Sequence, residues 1–266
     1  MSGLATGARI FFVGGLISYR GLFQWIRPSV YIPTMLGAPL FQILFFTYLG
    51  RYANTGEGDA FFVVGNAVQV CSMSAVYAMT MAVANERQFG TLGPLLATPA
   101  SRSAIFLGRG LPVLANGLIV SAWGFLVGRL LTNFDPPLSS IPALTIVVVV
   151  TALSCTLFGM LLGSIGLRGK DFFFAANLAY YLLLLFCGVN IPLDVLPGWM
   201  ATIGRCLPLT HGIEAARKVA AGASLHSVAG LVWTELAIGV AYGAAGFIAF
   251  RVLEGESRRS AVLDSF

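Results

Sequence analysis

Residues 141 to 165 read IPALTIVVVVTALSCTLFGMLLGSI and carry no charged side chain. About 20 mostly apolar residues in helical form match the hydrocarbon core of a bilayer, and a helix satisfies its own backbone there. Five further runs approach this description, so the pattern predicts spans near 29–50, 60–84, 108–131, 141–165, 172–191 and 228–250. Composition agrees. With 57% hydrophobic and 10% charged residues, and a mean hydropathy of +0.84, the chain lacks the charge to cover a water-soluble surface. The expected fold is an all-α integral membrane protein.

An even number of spans puts both termini on one side, and Lys and Arg say which. Arg9, Arg20, Arg27, Arg87, Arg102, Arg109, Arg168, Lys170, Arg251, Arg258 and Arg259 fall in one set of connecting segments. The other set holds Arg51, Arg129, Arg205, Arg217 and Lys218. The richer set belongs to the cytosol. The net charge of +5 is scattered singly between apolar runs, which argues against a nucleic-acid partner. Cys71, Cys155, Cys187 and Cys206 form no C-x-x-C pair and are expected to have neither a metal nor a redox role. The opening stretch lacks the layout of a cleavable signal, so the first span is expected to direct its own insertion.

Within residues 1–28, Arg9, Arg20 and Arg27 share a helical face, while Ile10, Phe11, Leu22 and Trp25 occupy much of the rest, the pattern of an amphipathic helix lying in the membrane interface. After the fifth span, Pro192, Pro197 and Pro208 break the chain into short pieces. Thr210 is the expected N-cap of a helix stopped by Gly222, with Glu214 and Lys218 paired at i,i+4. Residues 191–224 thus read as a helical hairpin, either dipping into the outer leaflet or lying beyond it. The tail, 251–266, is polar and expected in the cytosol.

Between the second and third spans lies NERQFGTLGPLLATPASRSAIFLGR, residues 85–109. Pro94 suits the first turn of a helix, Leu95 and Leu96 give it an apolar tip, Pro99 ends it, and Ser101 can cap the next helix. A rigid elbow with a greasy tip and charged flanks is shaped to dock on a protein.

This elbow resembles the E-R-x-x-G-T-L-E-x-L-L-x-T-P-x-S segment of type-2 ABC exporter permeases, the daunorubicin-resistance-like and nodulation-exporter-like drug and polysaccharide exporters. The stretch GVNIPLDVLPGWMATIGRCLPLTHGIEAARKVAAG resembles the second signature of that family. The resemblance implies that the elbow, about 86–104, is a coupling helix seated in a separate ATP-binding subunit. Its contacts would come from Glu86, Arg87, Gly90, Thr91, Leu92, Leu95, Leu96, Thr98 and Pro99. One departure is Gly93, where the family has Glu. It also implies two copies of the ATPase, a second permease copy, lipid contact, and a bacterial plasma membrane with both termini cytoplasmic. ATP and magnesium would be bound by the partner, because the nearest text to a P-loop, GSIGLRGKD, has Gly163 out of register and Asp171 where Ser or Thr is needed. No cofactor and no catalytic residue are expected in this chain.

Polar residues within spans are costly unless they face protein or a wet cavity. Asn66, Gln69, Met73, Tyr77 and Thr80 share one face of the second span. Asn177, Tyr180, Tyr181, Leu184 and Gly188 make a similar stripe in the fifth. They read either as lining between two copies or as hydrogen bonds within a packed bundle. Glu235, the one acid inside a span, is expected to form an ion pair with Arg205, Arg217 or Lys218. G-x-x-x-G matches at Gly124/Gly128, Gly159/Gly163 and Gly239/Gly243 indicate close helix packing. An ion-gradient transporter is the alternative, although Glu235 alone is a poor ion site. A membrane-embedded enzyme is another, although His211 and His226 stand apart and no H-E-x-x-H occurs.

Overall fold

The computed structural model describes residues 29, 32–88, 102–166 and 172–260. Among them no strand occurs. Helix α1, Ala38–Ala53, continues a π-helical turn, Ile32–Gly37. Then come α2, Asp59–Gln88, α3, Arg102–Leu131, α4, Ile141–Gly166, and α5, Phe172–Phe186. The short helices α6, Gly198–Cys206, and α7, Thr210–Ala220, precede the long α8, Ala229–Ser260. Single 3₁₀ turns at Leu138–Ser140 and Leu225–Val228 lead into α4 and α8. The interfacial helix expected in 1–28, the elbow from Gly90 to Pro99 and the last six residues lie outside the described residues. Glu86 and Arg87 fall in the last turn of α2.

Among the described residues, five stretches are long and apolar enough to cross a membrane: Ile32–Ala53, Asp59–Met81, Gly108–Leu131, Leu138–Ile165 and Leu225–Val252. Each coincides with an expected span to within a few residues. The fifth expected span differs. Its apolar helix is short, Phe174–Phe186, and stops before the expected end at 191. Gly188 takes a φ of +72°, which turns the chain where a helix would need a negative φ. Among the described residues α5 runs for 15 residues, about 22 Å.

The bundle is built around α2. Its span is 78% buried, against 17% for those of α1 and α8. It packs on α3 and α4, and also on α1, α5 and α7; α8 lies on the far side of α4. Glycines set these approaches. A Cβ on Gly128 would fall 2.2 Å from Val63, one on Gly159 3.0 Å from the Val76 carbonyl, and one on Gly239 2.7 Å from the Ser154 Cα. The G-x-x-x-G matches therefore mark packing within the chain, of α3 and α4 on α2 and of α8 on α4.

One end of the bundle carries the turns at 54–58 and 132–140 and the α6–α7 hairpin. Two of these turns are tied together there. The Arg51 guanidinium forms a two-pronged pair with Asp59, with Nε to Oδ1 at 2.8 Å, and Asp59 Oδ2 accepts the Asn133 amide at 3.0 Å.

Candidate functional site

The hairpin begins where α5 ends. Pro197 precedes α6, and Leu207-Pro208 separates α6 from α7, so the prolines break the chain where the sequence places them. Gly204 brings α6 against the end of α5, since a Cβ there would meet the Phe186 carbonyl at 2.1 Å. Helix α7 is deeply set, with Gly212, Ile213, Ala215, Ala216 and Val219 buried against α2, α4 and α8. Its end follows the expected chemistry. Gly222 (φ +96°) donates to Val219 O and Ala223 donates to Lys218 O, a Schellman stop. Lys218 pairs with Glu214 at 2.7 Å on the exposed face.

Its start departs from expectation. The N-cap is Leu209, in a strained conformation (φ +97°), and Thr210 instead donates back to the Gly204 carbonyl. The acceptor for the first turn comes from another helix. Glu235 of α8, wholly buried, takes the Leu209 amide on Oε1 at 2.7 Å and the Gly212 amide on Oε2 at 3.1 Å. The ion pair expected for Glu235 does not form. Arg217 and Lys218 have other partners, and no Lys or Arg among the described residues reaches the carboxylate.

Arg217 points instead toward α2 and the turn after α5. Its Nη2 donates to Val189 O at 2.8 Å and to Phe61 O at 3.1 Å. Burial pulls the guanidinium down to about 9, with Glu57 and Glu214 opposing the shift, so it remains charged at neutral pH.

The two polar stripes meet in part. Asn66 Nδ2 donates to Asn190 Oδ1 at 2.7 Å and to Phe62 O at 2.9 Å, and its Oδ1 accepts from Gln42 Nε2 at 3.0 Å. Gln42 Oε1 in turn accepts from the Tyr180 hydroxyl at 3.1 Å. Nearer the other end, the Tyr77 hydroxyl donates to Asn177 Oδ1, and the Tyr77 ring lies edge-on to Tyr180 at 6.4 Å. Thus α1, α2, α5 and the turn after it share one polar line. Thr80 leaves this line and donates to Gly159 O of α4 at 3.2 Å. Gln69 is buried, with Ser72 on its Oε1 and no partner for Nε2 among the described residues. Met73 is half-buried. Of the whole set, Tyr181 (61% exposed) and Asn177 reach the surface; α1 also exposes Phe41, Phe45 and Tyr48.

Sequence reasoning missed Gln42, Asn190 and the cap on α7. Gln42 carried a signal, an uncharged polar residue inside a span. The cap carried none, because its donors are backbone amides that any residue except proline supplies.

A helical bundle with five spanning-length helices, a sixth short apolar helix and a hairpin packed into one end is a polytopic membrane protein. A sequence profile of the ABC-2 type transporter family matches residues 15–220. The chain belongs to that family of membrane permeases. It is similar to the probable multidrug ABC transporter permease YbhR of Escherichia coli strain K12, and to its counterpart in strain O157:H7. Each is 25% identical over 199 residues, which cover 71% of this chain and 52% of the relative. The chain thus spans about half the length of the curated relatives it matches.

Proposed function

We propose that the chain is the membrane subunit of an ABC exporter, driven by ATP hydrolysis in a separate nucleotide-binding subunit present in two copies. The observation that carries this is the family match over residues 15–220, joined to the reach of two helices. Helices α2 and α3 have 30 residues each, about 45 Å, longer than the roughly 30 Å hydrocarbon core, and between them lies 89–101. Rigid helical struts on each side of that elbow suit the transmission of a push.

In this reading α5 is the fifth of six crossings, and the hairpin completes its depth on the outer side. A second copy seats against the side where α1 and α5 expose Phe41, Phe45 and Tyr181. The cargo passing between the copies is amphipathic, a drug or antibiotic, or a lipid-linked saccharide. Exposed aromatics beside Asn177 suit such molecules, and the relatives' names point to multidrug transport. ATP-driven closure of the partner shifts the pair between inward and outward access. The site is in a bacterial plasma membrane, both termini inside.

The test replaces Leu95 and Leu96 by Asp. Loss of copurification with the ATPase, with the spans still folded, is expected. Intact copurification with full substrate-stimulated ATP hydrolysis overturns the reading. Transport that fails on collapse of the proton gradient, while ATP remains, favours the ion-gradient alternative.

A further inference from the structure

The first turn of a helix leaves amide groups without partners, and a local capping box satisfies two of them, the N–H of the N-cap and that of the third helical residue. In α7 these are the amides of Leu209 and Gly212. Leu209 has no side-chain acceptor, and the residue at the third position is glycine. Both donors go to the single carboxylate of Glu235. An acid on the last long helix thus does for α7 what its own sequence cannot.

Each carboxylate oxygen accepts one N–H, and the positive end of the α7 dipole faces the group. The site is closed from the other sides. Ser154 of α4 donates to the Glu235 carbonyl at 3.1 Å. A Cβ on Gly212 would fall 2.0 Å from Thr151 Oγ1, so α7 has no slack against α4. Beneath the hairpin base Cys187 is 1% exposed, its thiol against the Pro208 carbonyl at 3.6 Å. Leu209 holds a strained φ of +97°, a conformation that persists only where its surroundings enforce it.

We infer that Glu235 is a positioning residue for transport: its carboxylate, acting through the Leu209 and Gly212 amides, pins the α6–α7 hairpin shut over the end of α5. This deepens the exporter reading and rests on it, since it takes the hairpin to be the outer closure. The strain at Leu209 favours lifting, and the carboxylate opposes it. Glutamine fills the same volume but offers one acceptor oxygen and one NH₂, which faces an amide N–H and cannot accept from it.

The native cysteines report on this. Cys206 is exposed on the hairpin, while Cys71, Cys155 and Cys187 are buried. Cells carrying the full chain are treated from outside with a membrane-impermeant methanethiosulfonate, and each cysteine is read by mass spectrometry. In wild type, Cys206 is modified and Cys187 is protected. With Glu235→Gln, Cys187 modification is expected to accelerate about tenfold to a hundredfold, the range for leaving a buried donor unsatisfied, while Cys71 and Cys155 stay protected. Unchanged Cys187 overturns the inference, and so does a parallel rise at Cys71 and Cys155, which would mark general loosening. If Cys206 reacts only from the inner side, it is the exporter topology that fails, whatever Cys187 does. Hydrogen exchange on the wild-type protein needs no variant. Amides of Leu209 and Gly212 exchanging as slowly as those in the buried stretch of α2 support the pin, and exchange at the rate of exposed amides overturns it.

Discussion

The Arg217 guanidinium lies over the Phe61 ring, 3.5 Å from its centroid, and donates to the carbonyl of the same residue. One side chain of α7 thereby grips α2 by ring and backbone together, and through Val189 O it also holds the turn that ends α5. A planar fork does this; a point charge on a flexible stem does not. Arg217→Lys is expected to lower stability by about 1–2 kcal/mol, and Arg217→Ala by about 2–3 kcal/mol, because Val189 O is then left unsatisfied. Thermal unfolding in detergent measures both. A lysine variant as stable as wild type would show that the fork is not used.

Gly65 makes the same junction possible. A Cβ there would sit 2.4 Å from Val189 O and 2.7 Å from Arg217 Nη2. Neither the turn backbone nor the clamped guanidinium has an easy retreat, so Gly65→Ala is expected to destabilise by about 1–3 kcal/mol. Gly230 is the control. Nothing lies within 4 Å of its Cβ position at the start of α8, so Gly230→Ala is expected to be neutral or to stabilise by up to about 1 kcal/mol through helix propensity. Equal effects at the two positions would refute the steric account.

Asn66 and Asn190 test whether the polar line holds the bundle together or serves cargo. Their bond at 2.7 Å joins α2 to the turn after α5. In membrane proteins such bonds average about 0.6 kcal/mol, with a maximum near 1.7. A double-mutant cycle with Asn66→Ala and Asn190→Ala is expected to give a coupling within that range. The same variants should leave cargo affinity unchanged if the bond is purely structural. A change in affinity with no coupling in stability would make Asn66 a lining residue instead.

Much of this arrangement was legible in the sequence where burial and turn chemistry act locally. Span positions follow from runs of apolar residues, the breaks at Pro197 and Pro208 from missing amides, and the stop at Gly222 from its tolerance of positive φ. The end of α5 was misplaced because the run Leu182–Val189 stays apolar through the turn, and hydropathy cannot see the positive φ at Gly188. The role of Glu235 was hidden for another reason. A buried acid calls for donors, and cationic side chains are the donors a sequence displays; the amides it uses became available only once α7 was folded against it. The face shared by Asn66, Gln69 and Thr80 also splits in three dimensions. Helix α2 is surrounded, so a narrow stripe still meets α1, α5 and α4 in turn.

Sidedness is the prediction on which the elbow depends. The connecting segments at the hairpin end hold fewer Lys and Arg, namely Arg51, Arg129, Arg205, Arg217 and Lys218. In the sequence, the segments joining the other ends of the spans hold Arg87, Arg102, Arg109, Arg168, Lys170 and Arg251. An excess of Lys and Arg in short loops marks the cytosolic side, so the hairpin is expected outside and the elbow inside. Arg87→Cys and Arg102→Cys, made in a chain whose Cys206 is replaced by Ser, should resist an impermeant thiol reagent in intact cells and react after permeabilisation. Gly198→Cys, at the open start of α6 where nothing lies within 4 Å, should react in both. Modification of position 87 or 102 from outside would place the elbow beyond the reach of any ATP-binding subunit.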